Sequence, residues 1–234
     1  MKTEEIRSKK VMLGPVQVSQ VCFGTEHINK ATPNFGADIL ISAARDHGVF
    51  FWDTDNAYGS QSQVAAAIRQ ISREEAVVCS KTYGRTREEA VSDLERTLYE
   101  LNTDYLDIYL LHEVGYGTLE KKRAALEYLM EAKQQGKVRG IGLSTHSASI
   151  VHQAADMPEI EIVCAPFNRE GSRIEQGTLN LMKSALKKAH GNGKGTYIIK
   201  VLGRGELIYD LKGALEWAMA HHEFIDVYNL GVAN

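Results

Sequence analysis

The feature that most constrains this chain is a regular alternation of short apolar runs with longer stretches whose apolar residues recur at helical spacing. The runs predict buried strands at residues 18–24, 49–53, 76–80, 105–111, 138–143, 160–165, 197–201 and 224–228. The stretches between them predict helices at residues 36–48, 60–69, 86–101, 119–135, 147–155, 174–189 and 211–221. Because each crossover suits a βαβ unit and the order does not switch, the pattern favours a closed (β/α)8 TIM barrel over an open doubly wound α/β sheet.

The two ends of the chain depart from this repeat. Two short runs in residues 9–19, separated by Gly14-Pro15, predict a β-hairpin before the barrel. Few residues follow the eighth strand, so we expect the C-terminal helix to be missing or truncated and the outer side of that strand to be uncovered. Such apolar surface usually marks an interface, which predicts a homo-oligomer through the eighth strand or coverage by the segment before residue 11. No linker divides the sequence, so we expect one domain over residues 1–234.

Charge and cysteine content exclude several classes of protein. The net charge is −3, from 27 basic and 30 acidic residues, which gives no basic field for nucleic acid and no polybasic membrane patch. No apolar run approaches the roughly 20 residues that span a bilayer, and the N-terminal residues lack the apolar core of a signal peptide. Cys22, Cys79 and Cys164 each lie inside an apolar run, which predicts reduced core thiols and a cytoplasmic location.

Polar side chains stand at the ends of three successive predicted strands. Asp53, Lys81 and His112 each end a run, and Tyr58 follows the first of them in a polar loop. In a parallel barrel the carboxyl ends of all strands meet at one face, so we expect these four groups to converge. Each also has an ordinary explanation: a helix cap, surface packing, a solvated lysine or a hydrogen-bonded core histidine. Four complementary groups at one face favour a catalytic site.

Several motifs resemble those of aldo-keto reductases along nearly the whole chain. They are FWDTDNAYG at 51–59, Ser80-Lys81, LDIYLLH at 106–112, GKVRGIGLS at 136–144 and LGRG at 202–205. The resemblance implies a (β/α)8 barrel and a catalytic tetrad of Asp53, Tyr58, Lys81 and His112. It also implies reduction of an aldehyde or ketone to an alcohol by hydride transfer from NADPH, or more broadly from NAD(P)H.

The four side chains suit this chemistry. A phenol has a pKa near 10 and is a weak acid at neutral pH, so we expect the neighbouring Lys81 ammonium to lower the pKa of Tyr58, the general acid. Asp53 would hold Lys81 in place and keep it charged. His112 would donate to the oxygen of a small-molecule carbonyl substrate, where negative charge develops. The hydride must come from a nicotinamide, because no side chain can supply one.

The cofactor contacts follow from the resemblance, since no Gly-x-Gly-x-x-Gly follows the first strand. Thr25 and Asp53 would lie near the nicotinamide ribose, and Ser144 would bind the carboxamide. Backbone N–H groups around residues 202–205 would hold the pyrophosphate, although Gly203-Arg204-Gly205 also fits an ordinary βα turn. The full predicted cofactor set is Gly24, Thr25, Asp53, Ser144, Thr145, Cys164, Lys200, Leu202, Gly203 and Gly205. No histidine group has a matching ligand set, so we expect no metal site.

Three positions depart from the common family pattern and bear on cofactor binding. Thr145 stands where an Asn is frequent, Cys164 where many members have a Gln, and Ile199 where many have an aromatic residue. Together with the short C-terminal end, they leave open a catalytically weak or inactive barrel that acts as a binding or regulatory subunit, or a truncated product without turnover. The sequence names no particular substrate.

Overall fold

The N-terminal part of the chain forms the predicted hairpin. The computed structural model describes residues 7–115 and 117–231. Strands β1 (Lys10–Leu13) and β2 (Val16–Ser19) pair antiparallel. The hairpin lies across one end of the barrel, where a Cβ added to Gly195 would stand 2.4 Å from the backbone nitrogen of Gly14. Glycine at residue 195 therefore permits this close approach.

Eight parallel strands close a barrel, which confirms the predicted (β/α)8 fold. In chain order they are β3 (Val21–Gly24), β4 (Phe51–Asp53), β5 (Val77–Thr82), β6 (Leu106–Leu111), β7 (Val138–Ser144), β8 (Ile162–Pro166), β9 (Gly195–Ile199) and β10 (Val227–Gly231). Each strand pairs with the next, and β10 closes the ring by pairing with both β9 and β3. Tyr228 stands opposite Val21 on one side and Ile198 on the other.

Seven α-helices surround the strands within the described ranges. They are α1 (Pro33–His47), α2 (Gln61–Ile68), α3 (Arg87–Leu101), α4 (Arg123–Gln134), α5 (Ala148–Ala154), α6 (Leu179–Gly191) and α7 (Leu211–Met219). Helix α3 begins with the predicted capping box, in which Thr86 and Glu89 satisfy each other's backbone N–H groups. Helix α1 ends at Gly48, whose φ of 67° is the left-handed C-cap conformation. None of these helices is long and apolar enough to cross a membrane.

The core has two layers, as a closed barrel requires. Side chains that point into the barrel form one cluster, which includes all three cysteines, Phe51 and Tyr197. The outward side chains form a larger cluster with the helices. Cys22, Cys79 and Cys164 are buried free thiols, as expected from their apolar surroundings in the sequence.

The last two strands lie elsewhere along the chain than predicted. Strand β9 begins at Gly195 and ends before Lys200, whose φ of 59° leaves the strand conformation. Strand β10 begins at Val227, three residues later than expected. The Thr196 hydroxyl donates to the Phe224 carbonyl, and the Asp226 carboxylate accepts the Thr196 N–H. Hydrogen bonds that involve side chains therefore connect residues 224–226 to β9, before the backbone pairing of β10 begins.

Other differences are local. Helix α6 begins at Leu179, behind the N-cap Thr178, because Arg173 and Gln176 have positive φ and keep the preceding segment non-helical. The sequence predicted that the outer side of the eighth strand would be exposed. Tyr228 points outward from this strand, but its side chain is only 6% exposed, so the strand is covered at this residue. Residues 232–234 and the segment before residue 7 lie outside the described residues. Association between copies of the chain stays a prediction.

Candidate active site

Three strand ends bring their polar side chains to one mouth of the barrel. Asp53 is the last residue of β4, Lys81 lies near the end of β5, and His112 directly follows β6. Tyr58 reaches the same place from the loop after β4. These four side chains line one solvent-open cleft. The structure therefore brings together all four residues that the sequence singled out.

Asp53 and Lys81 form a buried ion pair at the floor of the cleft. The Lys81 ammonium lies 2.5 Å from Asp53 Oδ1 and donates a second hydrogen bond of 2.9 Å to the Thr54 carbonyl. Both side chains are at most 4% exposed. Burial opposes the charged lysine, but the neighbouring groups, Asp53 first among them, together outweigh it and hold the pKa of Lys81 well above its usual value. Lys81 is therefore a permanent cation at neutral pH.

Tyr58 is the third member of this chain of contacts. Its hydroxyl lies 3.4 Å from the Lys81 ammonium, which also stands 4.8 Å from the centre of the phenol ring. Burial raises the pKa of Tyr58 well above its usual value, and Lys81 offsets only part of that rise. Lys81 lowers the pKa as expected, but the net pKa is raised rather than lowered. Burial opposes the phenolate more strongly than the ammonium favours it, so Tyr58 keeps its proton.

His112 is held by its neighbours from two sides. Its Nδ1 lies 2.7 Å from the Ser144 hydroxyl at the end of β7. The Tyr83 ring packs edge-on against the imidazole at a centroid distance of 4.5 Å. Burial, with the charges of Lys81 and Lys122, lowers the pKa of His112 to about 2. His112 is therefore neutral at physiological pH and can donate one N–H without carrying charge.

Asn229 is a site residue that the sequence analysis missed. Its side-chain amide donates to Asp53 Oδ2 at 2.9 Å and lies 3.3 Å from the Tyr197 hydroxyl. A Cβ added to Gly24 would stand 2.5 Å from Asn229 Oδ1, so glycine at residue 24 makes room for this amide. The predicted strand ended before Asn229. The Asn in Tyr228-Asn229-Leu230, a polar residue between apolar ones, is the signal that could have extended the strand.

Asp55 is a second missed residue. It is fully buried, and its Oδ2 atom has no hydrogen-bond partner among the described residues. That oxygen lies 4.0 Å from His112 Nε2. Its place in the polar turn between Asp53 and Tyr58 was visible in the sequence, but turn aspartates are usually solvated.

The predicted cofactor residues fall into two groups. Six line the cleft beside Asp53, namely Gly24, Ser144, Cys164, Lys200, Leu202 and Gly205. The other three do not line it. Thr25 is buried and donates to the Asp53 carbonyl at 2.9 Å, and Thr145 is buried and donates to the Val114 carbonyl at 2.6 Å. Gly203 is buried in the turn after β9.

Cationic side chains stand at the outer part of the cleft. Lys200 and Arg204 line it, and both lie near the Glu26 carboxylate, at 3.7 Å and 3.5 Å respectively. Glu26 reaches them from the short turn after β3, on the other side of the cleft. Positive φ angles occur at Lys200 and at residues 203–205, which gives a tight turn of the kind that can form an anion-binding concavity.

Comparison with known proteins identifies the family. The family model "Aldo/keto reductase family" matches residues 20–208. An aldo-keto reductase of Mycolicibacterium paratuberculosis is 33% identical over an alignment of 132 positions, which covers 53% of this chain and 46% of that protein. Methylglyoxal reductase YeaE of Escherichia coli is 30% identical over 62% of this chain and 52% of its own length. The chain spans about half the length of these curated relatives.

Solved structures show the same fold. The chain superposes on PA4992 of Pseudomonas aeruginosa with a TM-score of 0.82, covering 99% of this chain and 92% of that one at 22% identity. It superposes on aldo-keto reductase AKR11C1 of Bacillus halodurans with a TM-score of 0.79 at 18% identity, covering 97% and 87%. At these identities the likeness concerns the fold alone. The family model, however, matches well over half of the sequence, and the chain therefore belongs to the aldo/keto reductase family.

Proposed function

We propose that this protein reduces an aldehyde or ketone to an alcohol, with NADPH as the hydride donor and Tyr58 as the general acid. One observation carries the proposal: Asp53, Lys81 and Tyr58 form a continuous chain of contacts that ends, with His112, in one cleft. Family membership supports the class of reaction. Two relatives are named for the reduction of small dicarbonyls, methylglyoxal reductase YeaE of Escherichia coli and the glyoxal reductase of Bacillus subtilis.

The proton-transfer step rests on Tyr58. The phenol stays protonated in the resting site because burial raises its pKa. When the carbonyl oxygen gains negative charge, it becomes the stronger base and takes the phenol proton. The phenolate that is left is stabilised by Lys81, whose ammonium lies 3.4 Å away. Lys81 therefore acts on the charge that forms during the reaction rather than on the resting acid.

His112 and Asp53 orient the reacting groups. A neutral imidazole can donate its Nε2–H to the same carbonyl oxygen and so fix its position beside Tyr58. Asp53 holds Lys81 at 2.5 Å and prevents the ammonium from turning away from the phenol. The site then presents two donors to one developing oxyanion.

The residues at the cleft fit an anionic dinucleotide. The cleft is lined both by the four polar side chains and by Lys200, Arg204 and Gly205. Ser144 and Cys164 would contact the nicotinamide end, and the cations would contact the phosphates. NADPH supplies a hydride when bound. The two cations and the NADP(+) in the name of a Schizosaccharomyces pombe relative favour NADPH over NADH.

A second candidate is a barrel that binds a ligand but turns over slowly or not at all. The observation that favours it is the engagement of Lys200 and Arg204 by the Glu26 carboxylate, which an anionic cofactor must displace. The common feature of the two candidates is binding in the cleft, and the difference is turnover.

Two measurements separate these candidates. Titration of the protein into NADPH, followed by nicotinamide fluorescence, measures cofactor binding. Loss of the reduced-nicotinamide absorbance with methylglyoxal, glyoxal and a panel of simple aldehydes measures reduction. Binding with carbonyl-dependent oxidation of NADPH supports the proposed reductase. Binding without oxidation supports the second candidate, and absence of both contradicts the proposal.

A further inference from the structure

Asp55 occupies an unusual position behind the candidate active site. Its Oδ1 accepts the Ala57 N–H at 2.7 Å, which fixes the plane of the carboxylate. Its other oxygen, Oδ2, is buried and has no hydrogen-bond partner among the described residues. Buried polar atoms are nearly always paired, so an unpaired carboxylate oxygen calls for a functional explanation.

On the Oδ2 side, His112 Nε2 lies 4.0 Å from this oxygen. This separation exceeds a direct hydrogen bond, so Asp55 acts on the imidazole through its field or through one bridging water. A carboxylate beside Nε2 favours the form of the ring that carries hydrogen on that nitrogen.

The contacts of His112 Nδ1 favour the same tautomer, with the proton on Nε2. Ser144 Oγ accepts the Glu113 N–H at 3.2 Å and lies 2.7 Å from His112 Nδ1. Within residues 7–115 and 117–231, Nδ1 is the acceptor available to the Ser144 hydroxyl proton. A hydroxyl that donates to Nδ1 requires that nitrogen to be unprotonated, which leaves the single proton of the neutral ring on Nε2.

We propose that Asp55 is a positioning residue that, together with Ser144, selects the neutral His112 tautomer with its proton on Nε2. This tautomer carries the Nε2–H that the proposed reaction assigns to the carbonyl oxygen. The inference deepens the proposed reductase function and rests on it for its catalytic meaning. The tautomer itself is a property of the resting protein and is measurable without substrate or cofactor.

The effect depends on the charge of Asp55, so it depends on pH. Burial raises the pKa of Asp55 to about 6, against the opposing effect of Lys81. His112 has a pKa of about 2 and stays neutral through this range. The titratable groups that act on Asp55 or respond to its charge are Asp53 on β4, Lys81 on β5, Tyr109 on β6, Asp93 on α3, and Tyr58, Tyr83 and His112 in the following loops.

The test is a two-bond ¹H–¹⁵N spectrum of protein labelled in its histidines, with His112 assigned by its loss in His112→Gln. Above the Asp55 pKa, the wild type is expected to show the pure Nε2–H tautomer. On acidification through about pH 6, the two ring nitrogen shifts are expected to move toward each other as Asp55 loses its charge. In Asp55→Asn they are expected to show a tautomer mixture that does not change over the same range.

Asp93→Asn is the matched control. It removes another carboxylate near Asp55, one whose Oδ2 accepts the Thr82 hydroxyl at 2.5 Å, and the wild-type titration of His112 is expected to persist. Wild-type nitrogen shifts that stay constant between pH 5 and 8, or that match those of Asp55→Asn throughout, would overturn the inference. The wild-type titration needs no variant to fold. A protein with the expected tautomer but no carbonyl reduction contradicts the proposed function alone.

Discussion

The amide of Asn229 donates a 2.9 Å hydrogen bond to Asp53 Oδ2, the carboxylate oxygen that does not contact Lys81. Lys81 on β5 thus holds one oxygen of Asp53, and Asn229 on β10 holds the other. This arrangement fixes the carboxylate plane, and through it the position of the Lys81 ammonium beside Tyr58.

Removing the Asn229 amide is expected to weaken the site. Asn229→Ala leaves a buried carboxylate oxygen without its donor, which typically costs about 1.5–3 kcal/mol. We expect a lower free energy of unfolding in urea and a fall in kcat of about tenfold. Gln70→Ala, which removes the side-chain amide of an exposed residue in the turn after α2, is the control and is expected to change neither quantity. Equal stability of the two variants would show that the Asn229 bond contributes nothing.

Breaking the buried ion pair is expected to have a larger effect. Lys81→Met leaves Asp53 charged and unpaired, and removal of one partner from a buried pair typically costs about 3–5 kcal/mol. The pKa of Lys81 is raised, so the stabilisation by the pair is fully present at neutral pH and is lost only as the pH rises through that value. Urea unfolding near neutral pH measures it, with the exposed Lys212→Met as control. Wild-type stability in Lys81→Met would contradict the buried pair.

The stability difference between wild type and Asp55→Asn is expected to depend on pH. An Asp whose pKa rises from 3.8 to about 6 on folding binds its proton more tightly in the folded state. The wild type therefore loses stability as the pH rises through this interval, by up to about 3 kcal/mol, and the variant does not. Urea midpoints measured at several pH values from acid to neutral test this. Parallel pH profiles for the two proteins would contradict the raised pKa.

Substitutions of Arg204 and of Glu26, which contact each other, are expected to change the affinity for NADPH in opposite directions. Arg204→Ala removes a cleft cation and is expected to weaken NADPH binding by about fivefold, the upper range for an exposed charge pair. Glu26→Gln frees the cations and is expected to tighten binding by a similar factor. Fluorescence titrations at low and high salt measure both effects, and both should shrink with salt. Tighter binding in Arg204→Ala would exclude a phosphate contact.

The sequence predicted the fold from its hydrophobic periodicity and the site from the polar residues at the strand ends. The alternation predicted the barrel, and the polar residues that end β4, β5 and β6 predicted which side chains meet. Asn229 was missed because the eighth strand was predicted three residues too early, starting at Phe224 and Ile225, which pack outside the barrel before the strand begins. Short apolar runs do not show which face they bury.

The pKa shifts and the hydrogen-bond partners of the site residues could not be predicted from the sequence. The direction of the Tyr58 pKa shift depends on how far the ring is buried against how close the Lys81 ammonium lies, and only coordinates give both. The unpaired oxygen of Asp55 is likewise a matter of three-dimensional neighbours. The buried hydrogen bonds of Thr25 and Thr145 explain why two residues adjacent in sequence to the site do not line it.

The central claim is that Tyr58 delivers the proton to the substrate oxygen, and the most direct measurement is the steady-state reduction of a carbonyl substrate by Tyr58→Phe. The variant lacks only the hydroxyl, so its fold and its NADPH titration are expected to match those of the wild type. We predict a fall in kcat of at least about 10²-fold, the lower range for general acid catalysis. A Tyr58→Phe enzyme that binds NADPH and turns over within a few-fold of the wild-type rate would contradict the account.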